Sequence, residues 1–177
     1  MKILVVSDTH GDTRNLDFVV RTFAGRLDLV IHLGDGVSDL EKLPLDLLGP
    51  TPRVVVKGNM DSDPRLPPSR VASARRNLIY ASHGHAALAS GSLLPLLLAA
   101  REAKASICLY GHTHIPHRKL SDGILLINPG SLSRPRGGWG PTFALLTVPE
   151  DGAGQVDVVH YEILNPGRAP SLHAVFP

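Results

Sequence analysis

Residues 2–35 read KILVVSDTHGDTRNLDFVVRTFAGRLDLVIHLGD, and this stretch decides the fold. The continuous apolar, β-branched run over 2–7 is typical of a strand that is buried on both faces. Apolar residues then recur at helical spacing over 13–24, which predicts an amphipathic helix. A second apolar run over 28–33 completes a strand–helix–strand unit. This unit predicts parallel strands joined by a right-handed crossover.

The rest of the chain continues this alternation and then changes to hairpins. We expect a short helix over 37–47, a strand over 53–57, a Pro-rich surface loop over 61–68, strands over 70–75 and 77–82, a helix from Ser92 to about Ala103, a strand over 106–110, and hairpins over 116–128 and 142–163 around Asp122-Gly123 and Asp151-Gly152. The tail over 165–177 has little pattern and is expected to be irregular. These elements predict a single domain, residues 1–177, with an α/β fold in which two sheets pack face to face and helices lie outside.

Size and composition are those of a globular protein. The chain has 177 residues, of which 43% are apolar, and its longest apolar stretch, residues 93–100, is far too short to span a bilayer. The beginning, MKILVVSD, indicates a first strand and not a signal peptide. The single cysteine, Cys108, excludes an internal disulfide, so we expect a cytoplasmic protein. A formal net charge of +2 gives no strong signal for nucleic-acid binding.

Each of five apolar runs ends at a side chain that can bind a metal. The five ends are Asp8 after ILVVS, Asp35 after LVIHLG, Asn59 after RVVVKG, His83 after NLIYAS and His112 after SICLYG. Two of them carry a second candidate two residues on, His10 and His114, and residues i and i+2 of an extended chain face the same side. Active sites of α/β folds lie beyond the carboxyl ends of the strands. The sequence therefore predicts that two carboxylates, one amide and four imidazoles meet at one rim.

This ligand set suits two divalent ions. Nitrogen and oxygen donors without sulfur favour Mn²⁺, Fe²⁺, Zn²⁺, Ni²⁺ or Co²⁺ over Ca²⁺ and Mg²⁺, and we expect Mn²⁺. Two such ions and two carboxylates leave a net charge of about +2, which suits a phosphate ester. Each motif alone also has an ordinary interpretation, as a turn or as a core histidine with its hydrogen bonds satisfied. Five motifs in order, each at a strand end, favour the dinuclear metal centre.

The same motifs resemble those of the calcineurin-like metallophosphoesterase superfamily. They are Asp8-x-His10, Gly34-Asp35, Gly58-Asn59-x-Asp61, His83-Gly84-His85 and Gly111-His112-x-His114. The small size and the segment Asn128-Pro129-Gly130-Ser131 resemble the small YfcE-type phosphodiesterases of that superfamily. The resemblance implies a four-layer αββα sandwich of two mixed β-sheets flanked by helices. It also implies that one metal is held by Asp8, His10, Asp35 and His114, and the other by Asp35, Asn59, His83 and His112.

One position departs from that pattern. Much of the superfamily has a histidine directly after the motif asparagine, whereas this chain has Met60, which cannot donate a proton. Because general-acid catalysis contributes typically 10²–10⁴-fold, we expect slow hydrolysis of esters with poor leaving groups. His85 or a metal-bound water is the candidate substitute, and Asp61 is expected to orient the Asn59 loop. The candidate catalytic residues are therefore Asn59, Asp61 and His85.

Four further residues have two interpretations. His32 is either a core residue or a partner of the metal ligands, and His160 is expected to be structural or solvated. Arg134 and Arg136 follow a Gly-rich turn that borders the expected site. Either arginine is a candidate for holding a substrate phosphate, and solvated loop arginine is the ordinary alternative.

We predict a dinuclear metal-dependent phosphodiesterase that acts on a small phosphate ester. A hydroxide bridging the metals would attack phosphorus in line, without a covalent intermediate, because no Ser or Cys is placed to form one. Two alternatives stay open. One is a protein-interaction scaffold without catalysis, like the retromer scaffold subunit that resembles this family; the other is a phosphomonoesterase or nucleotidase. The substrate, the native metal and the homo-oligomeric state also stay open.

Overall fold

The computed structural model describes residues 1–151, 154–166 and 169–176. Its strands are β1 (Lys2–Val6), β2 (Leu29–His32), β3 (Arg53–Val55), β4 (Ser69–Ala74), β5 (Asn77–Ser82), β6 (Ile107–Leu109), β7 (Pro116–Ser121), β8 (Ile124–Pro129), β9 (Thr142–Thr147), β10 (Asp157–Leu164) and β11 (Ser171–Phe176). Its α-helices are α1 (Arg14–Phe23), α2 (Leu45–Leu48) and α3 (Leu94–Glu102), and 3₁₀ segments lie at Val37–Lys42 and Ala87–Ser90. Within these described ranges, no helix has the length and apolarity that a bilayer span requires.

The strands form two mixed sheets. The six-stranded sheet has the order β11-β10-β9-β1-β2-β3, and its strands β1, β2 and β3 run parallel. The five-stranded sheet has the order β4-β5-β6-β8-β7, and β5, β6 and β8 run parallel. The hairpin strands β4, β7, β9 and β10 run antiparallel to their neighbours. Each sheet therefore contains three adjacent parallel strands, whose carboxyl ends lie at the same edge.

Three apolar clusters separate four layers. In β1, Ile3 and Val5 point into the central cluster between the sheets, whereas Leu4 and Val6 pack against α1. The third cluster lies between α3 and the outer face of the five-stranded sheet. These four apolar side chains are fully buried, and burying such a side chain contributes roughly 1.5–3 kcal/mol. The predicted α/β sandwich of two mixed sheets flanked by helices is confirmed.

Two predicted helices differ from the observed ones. The helix expected over 37–47 is divided into the 3₁₀ segment and α2, because Leu43 is extended at φ −70°, ψ 152° before Pro44. A residue before proline is sterically biased away from the helical region. Helix α3 begins at Leu94, so its N-cap residue is Leu93 and not Ser92. The Ser92 hydroxyl nevertheless accepts the Leu94 N–H at 3.1 Å.

The tail also differs from expectation, because part of it is a regular strand. Strand β11 pairs antiparallel with β10, with Ile163 opposite Leu172. It lies at the sheet edge, and Ser171, His173 and Ala174 are exposed, so its sequence carries little apolar pattern. Strands β9 and β10 form the predicted hairpin, but Gly152 of its expected turn lies outside the described residues.

Candidate metal centre

The side chains that follow five parallel strands meet where the two sheets adjoin. Asp8, Asp35 and Asn59 follow β1, β2 and β3 of the six-stranded sheet, and His83 and His112 follow β5 and β6 of the five-stranded sheet. A hydrogen bond also joins the two sheets at these ends, because the His112 backbone N–H donates to Asp8 Oδ2 at 3.2 Å. Both sheets thus contribute to one cluster.

One group of ligand atoms surrounds the Asp8 carboxylate. Asp8 Oδ1 lies 3.1 Å from His114 Nε2 and 3.8 Å from His10 Nε2, and the two Nε2 atoms are 3.3 Å apart. Ligand atoms that each lie about 2.1 Å from one ion are separated by roughly 3.0–3.4 Å in octahedral or tetrahedral geometry. Two of the three separations lie in this range and the Asp8–His10 separation is about 0.4 Å longer than its upper end, so a small shift of His10 would complete the spacing for one divalent ion.

A second group surrounds the His83 imidazole. His83 Nε2 lies 3.1 Å from Asn59 Oδ1 and 3.5 Å from Asp35 Oδ2. Ligand atoms of Asp8, Asp35 and His83 also lie within 4.8 Å of one another. Asp8 thus belongs to both groups, and Asp35 lies beside His83 in the second.

His112 lies beside the second group without joining it through a hydrogen bond. Its ring centroid is 5.2 Å from that of His83, and its imidazole has no hydrogen-bond partner among the described residues. His85 lies on the same side, with its ring centroid 5.4 Å from His83. Two imidazoles beside His83 are therefore available to a ligand.

Asp8 gives the clearest sign that a cation belongs here. Its side chain is fully buried, and its Oδ1 atom has no hydrogen-bond partner in the described part of the chain. A buried polar group left unsatisfied costs about 1–3 kcal/mol, and more when it is charged. A divalent ion bound by Oδ1 would remove this cost, so the donor set and its burial fit a metal.

Two of the histidines are held in the tautomer that binds a metal. His83 Nδ1 donates to the Leu33 carbonyl at 2.7 Å, and His114 Nδ1 donates to the Arg134 carbonyl at 2.6 Å. A carbonyl oxygen only accepts, so the proton is on Nδ1 and the lone pair is on Nε2. This arrangement is the usual one behind metal-ligating histidines. Both Nε2 lone pairs face the carboxylates.

The pKa values of His10, His112 and Asp35 favour the forms that bind metal, whereas the pKa of His83 favours a proton on its ring. Burial lowers the pKa of His10 and of His112 below the ordinary value, so both imidazoles are largely neutral near pH 7. Burial alone would raise the pKa of Asp35, but hydrogen bonds from His83 and from the Met60 N–H lower it to about 2. Burial likewise opposes protonation of His83, but the hydrogen bond with Asp35 and the charge of Asp8 outweigh it and raise the His83 pKa. A metal would replace that proton.

Asp61 holds the loop that carries Asp35. Its carboxylate accepts the backbone N–H groups of Asp35 at 2.8 Å, Gly36 at 2.9 Å, Val37 at 3.1 Å and Gly58 at 2.8 Å. The Met60 N–H in turn donates to Asp35 Oδ1 at 2.7 Å. The β2 and β3 ends are thereby joined to each other through two carboxylates.

These two ends approach so closely that only glycine fits. A Cβ atom on Gly58 would lie 2.1 Å from Asp35 Oδ1 and 2.3 Å from the Asp35 nitrogen. A Cβ atom on Gly34 would lie 2.5 Å from the Gly58 nitrogen. Close backbone approach of this kind is a principal use of glycine.

The expected extended backbone at the paired ligands is not what the structure shows. Asp8, His10, Asp35, His112 and His114 have positive φ angles of 56°, 46°, 55°, 66° and 61°. Such left-handed conformations are uncommon for residues other than glycine, although Asp and His tolerate them better than most. Tight turns, and not an extended i, i+2 alternation, therefore direct these side chains into the cluster.

Sequence reasoning missed Asp39, a buried carboxylate behind the Asp8–His10 turn. Asp39 Oδ2 accepts the Thr9 hydroxyl at 2.6 Å and the Gly11 N–H at 2.8 Å, and Oδ1 accepts Lys42 Nζ at 2.7 Å. His32 Nε2 donates to the Thr9 hydroxyl at 3.2 Å. Burial lowers the pKa of His32 to about 4, so His32 is a neutral partner in this network. The position of Asp39 in a short 3₁₀ segment left no signal in the sequence pattern.

The end of β8 and the segment that follows it also hold the Asp8–His10 turn and the end of β6 in place. The hydroxyls of Ser131 and Ser133 donate to the Asp8 carbonyl at 2.8 and 3.0 Å. Asn128 Nδ2 donates to the Gly111 carbonyl at 2.8 Å, and His160 Nε2 donates to the Asn128 carbonyl at 2.8 Å. His160 is therefore structural, as expected.

A polar cleft of about 280 Å³ opens over the cluster. It is lined by His10, Gly11, Asp35, Gly36, Ser38, Asp39, Lys42, Met60, Asp61, Ser62 and Arg134. Met60 is 66% exposed at its rim. The cluster is thus accessible to a small molecule from the side of His10 and Asp35.

The fold and the His/Asp cluster define a metal-binding α/β sandwich with an open polar cleft. Residues 1–151 match the calcineurin-like phosphoesterase superfamily domain, and the chain belongs to this metal-dependent superfamily. The predicted family is therefore confirmed.

Two relatives carry names that bear on activity. The probable metallophosphoesterase YsnB of Bacillus subtilis is 32% identical over 153 residues, covering 86% of this chain and 88% of YsnB. The phosphodiesterase YfcE of Escherichia coli is 29% identical over 169 residues, covering 82% of this chain and 87% of YfcE. The family and these names indicate a metallophosphoesterase hydrolase.

Solved structures support the same fold. A conserved protein of Streptococcus pneumoniae, described as a predicted phosphoesterase, is 32% identical with a TM-score of 0.75, covering 98% of this chain and 97% of that one. Wild-type Vps29 of Entamoeba histolytica, solved as a complex with Zn²⁺, is 26% identical with a TM-score of 0.72, covering 99% and 98%. Proteins with a similar fold therefore include one that is described as a predicted phosphoesterase and one that is named Vps29.

Proposed function

We propose that this chain is a dinuclear metal-dependent phosphodiesterase that cleaves P–O bonds by direct in-line attack of water. The observation that carries the proposal is the unsatisfied, fully buried Oδ1 atom of Asp8, which lies 3.1 Å from His114 Nε2 and 3.8 Å from His10 Nε2. The similarity to YfcE, named a phosphodiesterase, supports the choice of substrate class. We propose Mn²⁺ as the metal, with Fe, Ni, Zn and Co as alternatives for the same donor set.

In this proposal, Asp8, His10, Asp35 and His114 would hold one ion, and Asp35, Asn59, His83 and His112 would hold the other. When bound, the ions would activate water as the nucleophile and neutralise charge on the phosphoryl oxygens. The chain itself fixes the ligands, and Asp61 does so through the four amides around Asp35 and Gly58. Asp61 is therefore proposed as a positioning residue.

Covalent catalysis has little support from the side chains near the cleft. Cys108 is fully buried, its Sγ contacts the Leu96 carbonyl at 3.8 Å, and burial raises the pKa of its thiol to about 12. Ser38 and Ser62 line the cleft, but neither hydroxyl is hydrogen-bonded to a base among the described residues. A serine nucleophile needs such a base. The absence of such a base beside Ser38 and Ser62 in the described part of the chain supports direct attack by water.

Protonation of the leaving group is the weak step of the proposed reaction. Met60 cannot donate a proton, and burial lowers the pKa of His85, so little of that imidazole is protonated near pH 7. His85 is the candidate donor among the side chains close to the cluster, at 5.4 Å from His83 between ring centroids. Diesters and aryl esters with good leaving groups are therefore the proposed substrates.

The test is turnover of bis-p-nitrophenyl phosphate and p-nitrophenyl phosphate by protein loaded with Mn²⁺. We expect turnover by the wild type, faster with the diester, and at least 100-fold less with Asp35→Asn or His112→Ala, since each removes a ligand. Asp63→Asn is the control, because Asp63 pairs with Arg65 on the surface at 2.8 Å. Wild-type protein that stays inactive with every metal tried would contradict the proposal.

The second candidate is a protein-interaction scaffold, which the exposure of Met60 and the similarity to Vps29 favour. A scaffold predicts bound metal without turnover, so metal analysis combined with the ester assay separates the two. A third candidate, a phosphomonoesterase or nucleotidase, predicts faster turnover of the monoester than of the diester.

A further inference from the structure

Arg134 lies on the wall of the cleft over the candidate metal centre. Its backbone carbonyl accepts His114 Nδ1 at 2.6 Å, which fixes the residue beside one group of ligands. Its side chain lines the same cleft as His10, Asp35 and Met60. The guanidinium group is therefore near the place where a phosphoryl group would bind.

The other charged residues of the cleft are already engaged. Lys42 pairs with Asp39 at 2.7 Å, and the Asp61 carboxylate accepts four backbone N–H groups. Asp35 accepts the Met60 N–H and faces His83. By contrast, the exposed Arg134 side chain makes no hydrogen bond or ion pair within the described part of the chain. Among the residues that line the cleft, Arg134 is thus a cation available to an anionic ligand.

The chemistry of arginine restricts what this residue can do. A guanidinium group presents N–H donors in a planar fork that matches the oxygens of phosphate. It stays protonated at any physiological pH, so it cannot act as a general acid. Arg134 can therefore bind and neutralise a phosphoryl oxygen, but it cannot protonate the leaving group in place of Met60.

We propose that Arg134 is a substrate-binding residue whose guanidinium group binds a non-bridging phosphoryl oxygen of the ester in the cleft that Arg134 lines. This inference rests on the proposed function. Because the same contact is available to inorganic phosphate, binding of phosphate is a measure of Arg134 that does not require turnover.

The experiment compares Arg134→Gln and Arg134→Lys with the matched control Arg136→Gln. Arg136 is an exposed arginine of the same loop, and it does not line the cleft. Each protein is loaded with Mn²⁺ and its metal content is measured. The Kd of inorganic phosphate is then determined by titration calorimetry, and kcat/KM is determined with bis-p-nitrophenyl phosphate.

We expect Arg134→Gln to weaken phosphate binding and to lower kcat/KM by roughly 10–100-fold, the usual effect of losing a hydrogen bond to a charged group. Arg134→Lys should recover part of both losses, because it restores the charge without the planar fork. Metal content should stay that of the wild type, and Arg136→Gln should lie within about twofold of the wild type on both measurements, since exposed substitutions away from a site have small effects.

The inference is overturned if Arg134→Gln binds phosphate as well as Arg136→Gln does, if it loses metal, or if the wild type binds no phosphate. Failure of the proposed function looks different. Wild-type protein that turns over no ester contradicts the phosphodiesterase, while the phosphate titration still decides the role of Arg134.

Discussion

Asp61 Oδ2 accepts the backbone N–H of Asp35 at 2.8 Å, so one carboxylate fixes the position of another. The same carboxylate also accepts the Gly58 N–H at 2.8 Å, and thereby joins the loops after β2 and β3. The four hydrogen bonds to Asp61 therefore need an acceptor atom at both oxygen positions of its side chain.

Asp61→Asn should therefore weaken metal binding without removing a metal ligand. The amide offers one acceptor oxygen and turns an NH₂ group toward backbone N–H groups, so two of the four bonds are lost. We expect a tenfold or greater increase in the Kd of Mn²⁺ and a loss of about 1–3 kcal/mol in the free energy of unfolding. Calorimetric titration with Mn²⁺ and urea unfolding provide the measurements, and equal values for Asp61→Asn and Asp63→Asn would refute the role.

Gly58→Ala tests the close approach of the β2 and β3 ends. A Cβ atom there would lie 2.1 Å from Asp35 Oδ1 and 2.3 Å from the Asp35 nitrogen, so both the side chain and the backbone of Asp35 have to move. We expect the variant to fold but to bind fewer than two equivalents of Mn²⁺, as measured by metal analysis after desalting. Gly123→Ala is the control, because Gly123 has φ 76° and open space around it in the turn between β7 and β8. That control should lose about 1 kcal/mol of stability and keep its metal.

Met60→His tests the missing proton donor. Met60 is 66% exposed, so a histidine is accommodated there without repacking. We expect the ratio of rates on an alkyl ester and on a p-nitrophenyl ester to rise at least tenfold, since protonation assists only the poor leaving group and contributes typically 10²–10⁴-fold. Met60→Gln, which carries no titratable proton, should leave this ratio unchanged. A ratio that rises equally in both variants would mean that size and polarity, and not proton donation, matter at this position.

His160 should make stability depend on pH. Burial lowers its pKa to about 4, although the hydrogen bond to the Asn128 carbonyl opposes this shift. In the unfolded chain this imidazole has its ordinary pKa of 6.5 and binds more protons between the two values, so acidification through this window destabilises the fold by up to about 3 kcal/mol. Unfolding by urea at pH 7 and at pH 4.5 in the presence of a chelator measures the change.

In the His160→Gln variant this fall should be about 2 kcal/mol smaller, because the group that titrates is gone. His173→Gln is the matched control, since His173 is exposed on β11. Parallel stability curves for the wild type and His160→Gln would contradict the assignment.

The fold could be predicted because β1 and β2 carry unbroken apolar runs. Side chains such as Ile3 and Leu4 are buried on opposite faces, and a strand covered on both faces has a clear signal. Strand β11 has no such signal, because it lies at a sheet edge and its pairing with β10 depends on backbone hydrogen bonds. The division of the 37–47 region could have been anticipated from Pro44.

The candidate ligands could be predicted from their positions after strands, but their geometry could not. Asp8 and His10 reach the cluster through a left-handed turn, and a spacing of two residues does not reveal the φ angle. Asp39 supports this turn from a region without periodic pattern. Arg134 likewise comes close to His114 only through the long-range packing of the loop after β8.

The left-handed angles at Asp8, His10, Asp35, His112 and His114 imply a conflict between robustness and activity. Each costs on the order of 1 kcal/mol, which a glycine at the same place would avoid. Evolution for heat resistance alone would therefore be drawn to glycine at these five positions and would erase the reactive centre in the process. The most thermally durable version of this molecule should be one that has stopped binding metal.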